Sequence, residues 1–192
     1  MTDIDPRSTA LLVMDYQAGI LGMLPDEAAD ALLERAERTL DRARAAGVHI
    51  GFVRVGFTDA DVEAMPATAM MAASLTPERR AFLDADAPTT AVHPRVAPRP
   101  GDIEVRKTRV GAFSTTDLDA RLRERGVNTL LLAGISTSGV VLSTVRDAAD
   151  RDYRVRVLAD LCADPDPEVH EFLTGRIYAA HGQTITTADL DW

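Results

Sequence analysis

The stretch from Leu130 to Asp147 constrains the fold of this chain more than any other. It opens as an unbroken apolar run, Leu130-Leu-Leu-Ala133, and reaches Gly134. It then crosses Ile135-Ser-Thr-Ser138 and continues past Gly139 in a helix-like pattern. That is the signature of a buried strand, a tight turn and a helix N-terminus. A strand feeding directly into a helix is half of a β-α-β unit, because a parallel neighbour is reached only by a crossover. Backbone N–H groups at the start of such a helix point outward and favour negative charge. A nucleophile or an oxyanion would sit well there.

The same alternation recurs along the 192 residues. Residues 9–14, 49–55, 103–105, 129–133 and 154–158 read as strands, with a short last strand at 184–187. Leu32, Leu33, Ala36, Leu40 and Ala43 recur at helical spacing, and Gly47 fits the position just past that helix. Thr116 and Asp119 have capping-box spacing, and Gly126 stops the helix they open. A further helix is expected over 138–151. Asp166-Pro167 is an N-cap followed by proline at N1, opening a helix to about Ala179. Between Gly56 and Pro100 prolines interrupt the pattern, and only 77–83 reads as regular structure. The expected fold is α/β: a three-layer α/β/α sandwich with a mostly parallel sheet of about six strands. The length suits one domain, 1–192.

Composition excludes several functions. A formal net charge of -9 disfavours nonspecific binding to nucleic acid or anionic membranes, which needs clustered Lys and Arg. No apolar run approaches the ~20 residues of a membrane span. No basic segment followed by an apolar stretch opens the chain, so a cytoplasmic location is expected. One cysteine, Cys162, excludes an intrachain disulfide framework. His49, His93, His170 and His181 are scattered without paired-ligand spacing, so neither a metal nor another cofactor is expected.

Ligands of open α/β sheets bind beyond the carboxyl ends of strands, near a switch in strand order. Three features fall at such ends. Asp15 follows the first strand, Lys107 the third, and the turn 134–140 the fourth. An acid emerging from an apolar strand suits general acid/base work, and a nearby lysine would hold it ionised or stabilise negative charge. On spacing alone, Asp15 reads equally as a turn cap and Lys107 as a solvated strand-end charge. Met65, Met70 and Met71 read as core or interface packing, with a pocket wall as the alternative.

These residues resemble the motifs of the isochorismatase-like cysteine hydrolases over roughly residues 8–188. Asp15-Tyr-Gln17 is similar to that family's Asp-x-Gln. Lys107-Thr-Arg-Val-Gly-Ala-Phe113 with Asp117-Leu118 is similar to its Lys-x-x-x-x-x-Phe-x-x-x-Asp-Leu run. The stretch Gly134–Asp147, followed by Val157-Leu-Ala-Asp160, resembles its helix and fifth-strand signature. The resemblance implies Asp15 and Lys107 as catalytic residues. It implies Gln17, Phe113, Ile135, Ser136, Thr137, Gly139 and Val140 as substrate-binding residues. It also implies a cis peptide before Ser136, a cradle of N–H groups for an anion, a small-molecule substrate and a homo-oligomer.

One departure stands out: the position of the family's nucleophilic cysteine reads Val140. A thioester route is closed there. The isochorismatases proper carry glycine at that position and hydrolyse an enol ether with acid assistance. By that resemblance this chain is a hydrolase acting without a covalent nucleophile. The alternatives are a binding protein that has lost turnover and, third, an amidase using Cys162. Asp15 and Lys107 are expected to converge within about 3–5 Å beside the Ser136 turn.

Overall fold

A computed structural model describes residues 4–192. Six strands form one sheet: β1 (Thr9–Met14), β2 (His49–Val55), β3 (Ile103–Lys107), β4 (Thr129–Ile135), β5 (Arg154–Ala163) and β6 (Gln183–Ile185). Their spatial order is β3-β2-β1-β4-β5-β6, and every neighbouring pair is parallel. The fold is therefore α/β, with the expected parallel sheet.

Strand β1 shows why the sandwich has three layers. Successive side chains of a strand point to opposite faces. Ala10, Leu12 and Met14 enter one core, and Leu11 and Val13 enter the other. Strand β4 divides the same way, Leu130 and Leu132 against Leu131, Ala133 and Ile135. Both faces must be covered, which is why these strands read as continuous apolar runs. The long helix Asp26–Ala46 covers the second face with Leu32, Leu33, Ala36, Leu40 and Ala43. It ends at Gly47, whose φ of 83° is the left-handed conformation expected there. Helices Leu118–Glu124 and Leu142–Asp150 cover the first face.

Several elements differ from their sequence pattern. Strand β5 runs to Ala163, five residues beyond Leu158, because a register shift between Leu132 and Gly134 lets it follow β4 to its end. The helix after β4 begins as a π-helical turn, Thr137–Val141. Short helices Asp59–Glu63 and Met70–Ser74 lie in the interval that read as irregular, beside the expected one at Pro77–Phe82. The last strand is Gln183–Ile185. Thr116 does not form the expected capping box. Asp117 is the N-cap, and the Asp119 carboxylate instead accepts from Tyr153 Oη at 2.8 Å and pairs with Arg151 at 3.3 Å.

Asp166 caps its helix as expected. Its side chain accepts from the N–H groups of Glu168 and Val169, with Pro167 in the first turn. The helix proper ends at Phe172, and π and 3-10 turns carry the chain on to Ala180. Asp166→Ala is expected to cost about 1 kcal/mol of stability in chemical denaturation, and Asp166→Asn much less.

The strand order reverses between β1 and β4, where Met14 lies opposite Gly134. That is the switch point at which a crevice opens in an open α/β sheet. The residues after β1 and after β4 therefore meet in one place. No helix among the described residues is long and apolar enough to cross a membrane.

Candidate active site

The chain leaves β1 through Asp15, whose φ of 59° is left-handed. Aspartate tolerates that conformation better than most residues with a Cβ. The Asp15 N–H donates to the Val53 carbonyl at 2.8 Å, so the turn is anchored to β2. Two residues on, Gln17 is wholly buried. Its amide donates to the carbonyls of Val55 and Thr90 and accepts from the Val55 N–H, each at 2.8 Å. Gln17 is thus a bolt joining the ends of β1 and β2 to the segment at Thr90. It is not among the residues that line the cavity, although the resemblance implies it as a substrate-binding residue.

Lys107 ends β3, two strands and roughly 10 Å from β1. A lysine and an aspartate together are long enough to close that gap. Lys107 Nζ lies 2.9 Å from Asp15 Oδ2, with side chains 3% and 7% exposed. It also donates to the Arg109 carbonyl at 3.3 Å. The other carboxyl oxygen, Oδ1, is buried and accepts no hydrogen bond. The nearby Val55 N–H is directed to Gln17. Burial raises the pKa of Asp15 above the ordinary carboxylate value, outweighing the lowering by Lys107.

The third component is the turn after β4. The Ile135–Ser136 peptide is cis. Gly134 is required by close approach: a Cβ there would stand 2.8 Å from Val141 Cγ2 and 3.3 Å from the Met14 carbonyl. The expected cradle of free N–H groups is already partly filled from within. Ser138 N–H donates to Asp164 Oδ2 at 2.7 Å, and Gly139 N–H to Ser136 Oγ at 3.1 Å.

Thr137 is fully buried. Its hydroxyl meets His170 Nδ1 at 2.8 Å, and its carbonyl accepts from Tyr178 Oη at 2.6 Å. It ties the turn to the last helical segment and does not line the cavity. Phe113 is also placed elsewhere. It stacks on Tyr153, centroids 5.9 Å apart, beneath the Arg151 guanidinium. The ring is buried in the first core, and neither Thr137 nor Phe113, which the resemblance implies as substrate-binding residues, is among the residues that line the cavity.

The three components enclose a cavity of about 560 Å³. Asp15 and Lys107 line it together with Ile135, Ser136, Gly139 and Val140. Val140 is almost wholly buried and presents methyl groups where the family resemblance places sulfur. Residues that the sequence did not single out complete the wall: Phe82, Arg79 and Arg109 among them. Met71 lines it too, while Met65 packs nearby and Met70 is exposed. Cys162 is not in the wall. It is buried in the first core with Sγ directed at the Leu132 carbonyl, and burial pushes its thiol up to about 12. Among the described residues no group of three or more His, Cys, Asp or Glu is arranged to hold a metal ion.

Known proteins share this fold and sequence. The isochorismatase domain family matches residues 9–189. The chain belongs to the isochorismatase family. Among its relatives, the uncharacterized isochorismatase family protein YecD of Escherichia coli O157:H7 is 34% identical over 93% of this chain and 92% of its own length. The ureidoacrylate amidohydrolase RutB of Methylobacterium radiotolerans is 35% identical over 86% of this chain and 70% of its own. A solved cysteine hydrolase from Pseudomonas syringae pv. phaseolicola superposes with a TM-score of 0.86 at 28% identity. It covers 98% of this chain and 93% of its own.

Proposed function

We propose that this family member hydrolyses a small metabolite without a covalent nucleophile, with Asp15 as general acid and Lys107 as its electrostatic partner. The observation that carries the reading is Asp15 itself. Asp15 lines the cavity, one of its carboxyl oxygens is buried without a hydrogen-bond partner, and burial favours the protonated form. A carboxyl whose pKa burial raises holds its proton to higher pH than a free one, which suits a proton donor.

For an enol ether the step balances simply. Asp15 gives its proton to the vinylic carbon, and the adjacent carbon becomes an oxocarbenium centre. Water adds there and returns a proton to the Asp15 carboxylate. The resulting hemiketal releases an alcohol and leaves a carbonyl. Lys107 balances the carboxylate that exists between the two transfers. Val140 offers no lone pair, and the Cys162 thiol is buried outside the cavity and held protonated.

A second reading, a binding protein without turnover, is favoured by the internal satisfaction of the Ser138 and Gly139 N–H groups. A screen of enol ethers, small carboxylates and amides by thermal shift, followed by turnover assays on each hit, separates the two. Binding with no conversion of any hit would overturn the hydrolase reading. Under that reading Cys162→Ala keeps the rate within about twofold, and iodoacetamide leaves it unchanged. Val140→Cys is the converse swap, and relatives named ureidoacrylate amidohydrolases make ureido amides the compounds to offer it. No amidase activity is expected to appear. Its appearance in an otherwise inert protein would mark the site as a degenerate amidase.

A further inference from the structure

Three cations line the cavity: Arg79, Lys107 and Arg109. Lys107 is paired with Asp15. Arg79 is exposed at the mouth, one residue from Glu78, which lines the same wall. Arg109 differs from both. It is half-buried, and no carboxylate among the described residues pairs with it. Its guanidinium is positioned by one nitrogen, Nη1, which donates to the Thr108 carbonyl at 2.7 Å and lies 3.5 Å from the Thr108 hydroxyl. Nε and Nη2 have no acceptor among the described residues. In a chain of net charge -9, eleven of its neighbours in type are ion-paired, from Arg7 to Arg151. An uncommitted guanidinium in a concave, largely apolar wall is an anion receptor, because its planar fork matches a carboxylate.

We propose that Arg109 is the specificity-determining residue of this cavity, and that its substrate is a small carboxylate with an apolar body. The inference rests on the reading of this cavity as the active site. Ile20, Met23, Leu24, Met71 and Phe82 supply the apolar surface for the body of the ligand. Arg109 follows Lys107 by two residues, and its carbonyl accepts from Lys107 Nζ. The bound carboxylate is thereby held beside the Asp15–Lys107 pair. A like charge there disfavours ionisation of Asp15 further, so substrate binding itself favours the acid form.

The test uses a matched pair of probes, cinnamate and cinnamamide, which share shape and apolar body and differ in charge. Affinities are measured by ligand-observed NMR and thermal shift on the wild-type protein, Arg109→Gln, Arg109→Lys and Asp15→Asn. Arg146→Gln serves as control, since it removes one exposed positive charge outside the cavity wall. Wild type and Arg146→Gln are expected to prefer cinnamate by roughly tenfold or more. Arg109→Gln is expected to lose that preference while binding cinnamamide unchanged, and Arg109→Lys to keep part of it. Equal binding of acid and amide by wild type, absence of binding by both, or a preference that survives in Arg109→Gln overturns the proposal. The readout is independent of turnover. The preference is expected to persist in Asp15→Asn, and a preference shown by a wild-type protein that converts no compound offered would remove the hydrolase reading and leave Arg109 in place.

Discussion

Asp15→Asn is expected to lower turnover by ~10²-fold or more, about 2.7 kcal/mol of transition-state stabilisation, with a much smaller change in ligand affinity. Asparagine keeps the shape of the side chain and can still lie against Lys107. It cannot deliver a proton to a substrate. The loss should therefore fall on kcat and leave KM within a few-fold. The comparison is made on protein whose melting transition and ligand-induced thermal shift are intact, which separates lost chemistry from lost folding. A rate within about threefold of wild type would remove Asp15 from the acid role.

The wild-type pH profile carries a linked expectation. The acid is active only while protonated. Since burial raises the pKa of Asp15, its rate should hold above the ordinary carboxylate range and then fall as pH climbs through the raised value. In Asp15→Asn that limb should be absent from the residual rate. A profile that instead rises with pH across the same range would assign Asp15 as a base.

Much of this architecture was legible because parallel strands buried on both faces leave an unmistakable trace. Residues Thr9–Met14 and His49–Val55 are read to their ends, since every position in them has an apolar environment or a ladder partner to satisfy. Asp15 and Lys107 were legible for the complementary reason. Asp15 is the first charged group after the buried run of β1, at the switch point, and Lys107 closes β3 at the same end of the sheet, within reach of it. Gln17, Phe113 and Thr137 mark where reading by motif stops. A motif records which residues recur and not which way they face. These three turn inward, onto backbone, onto Tyr153 and onto His170. The wall contributed by Met71 and Phe82 was illegible for want of periodicity, because helices of five or six residues make too few turns to show a stripe. Arg109 lies in a loop where no period applies, and only its spacing from Lys107 hints at it.

Lys107→Met is expected to carry the largest stability effect, and the sign of its pH dependence identifies the cause. Methionine fills much the same space, but it leaves the Asp15 carboxyl buried and without its counter-charge. Breaking a buried pair from one side costs about 3–5 kcal/mol where the stranded group must stay ionised. Asp15 can escape by taking up a proton. In the variant its folded-state pKa stands further above the unfolded value of about 3.9 than in wild type. A carboxyl raised on folding leaves stability intact below the unfolded pKa and drains it as pH rises through the folded one. The deficit relative to wild type should therefore be small near about pH 4 and grow towards about pH 8 in denaturant titrations. The double variant Asp15→Asn with Lys107→Met should recover most of the neutral-pH loss, since no buried charge remains. A deficit of equal size at both pH values, unrelieved in the double variant, would trace the loss to packing around residue 107. The pair would then contribute shape to the cavity floor and not the charge balance on which acid catalysis by Asp15 depends.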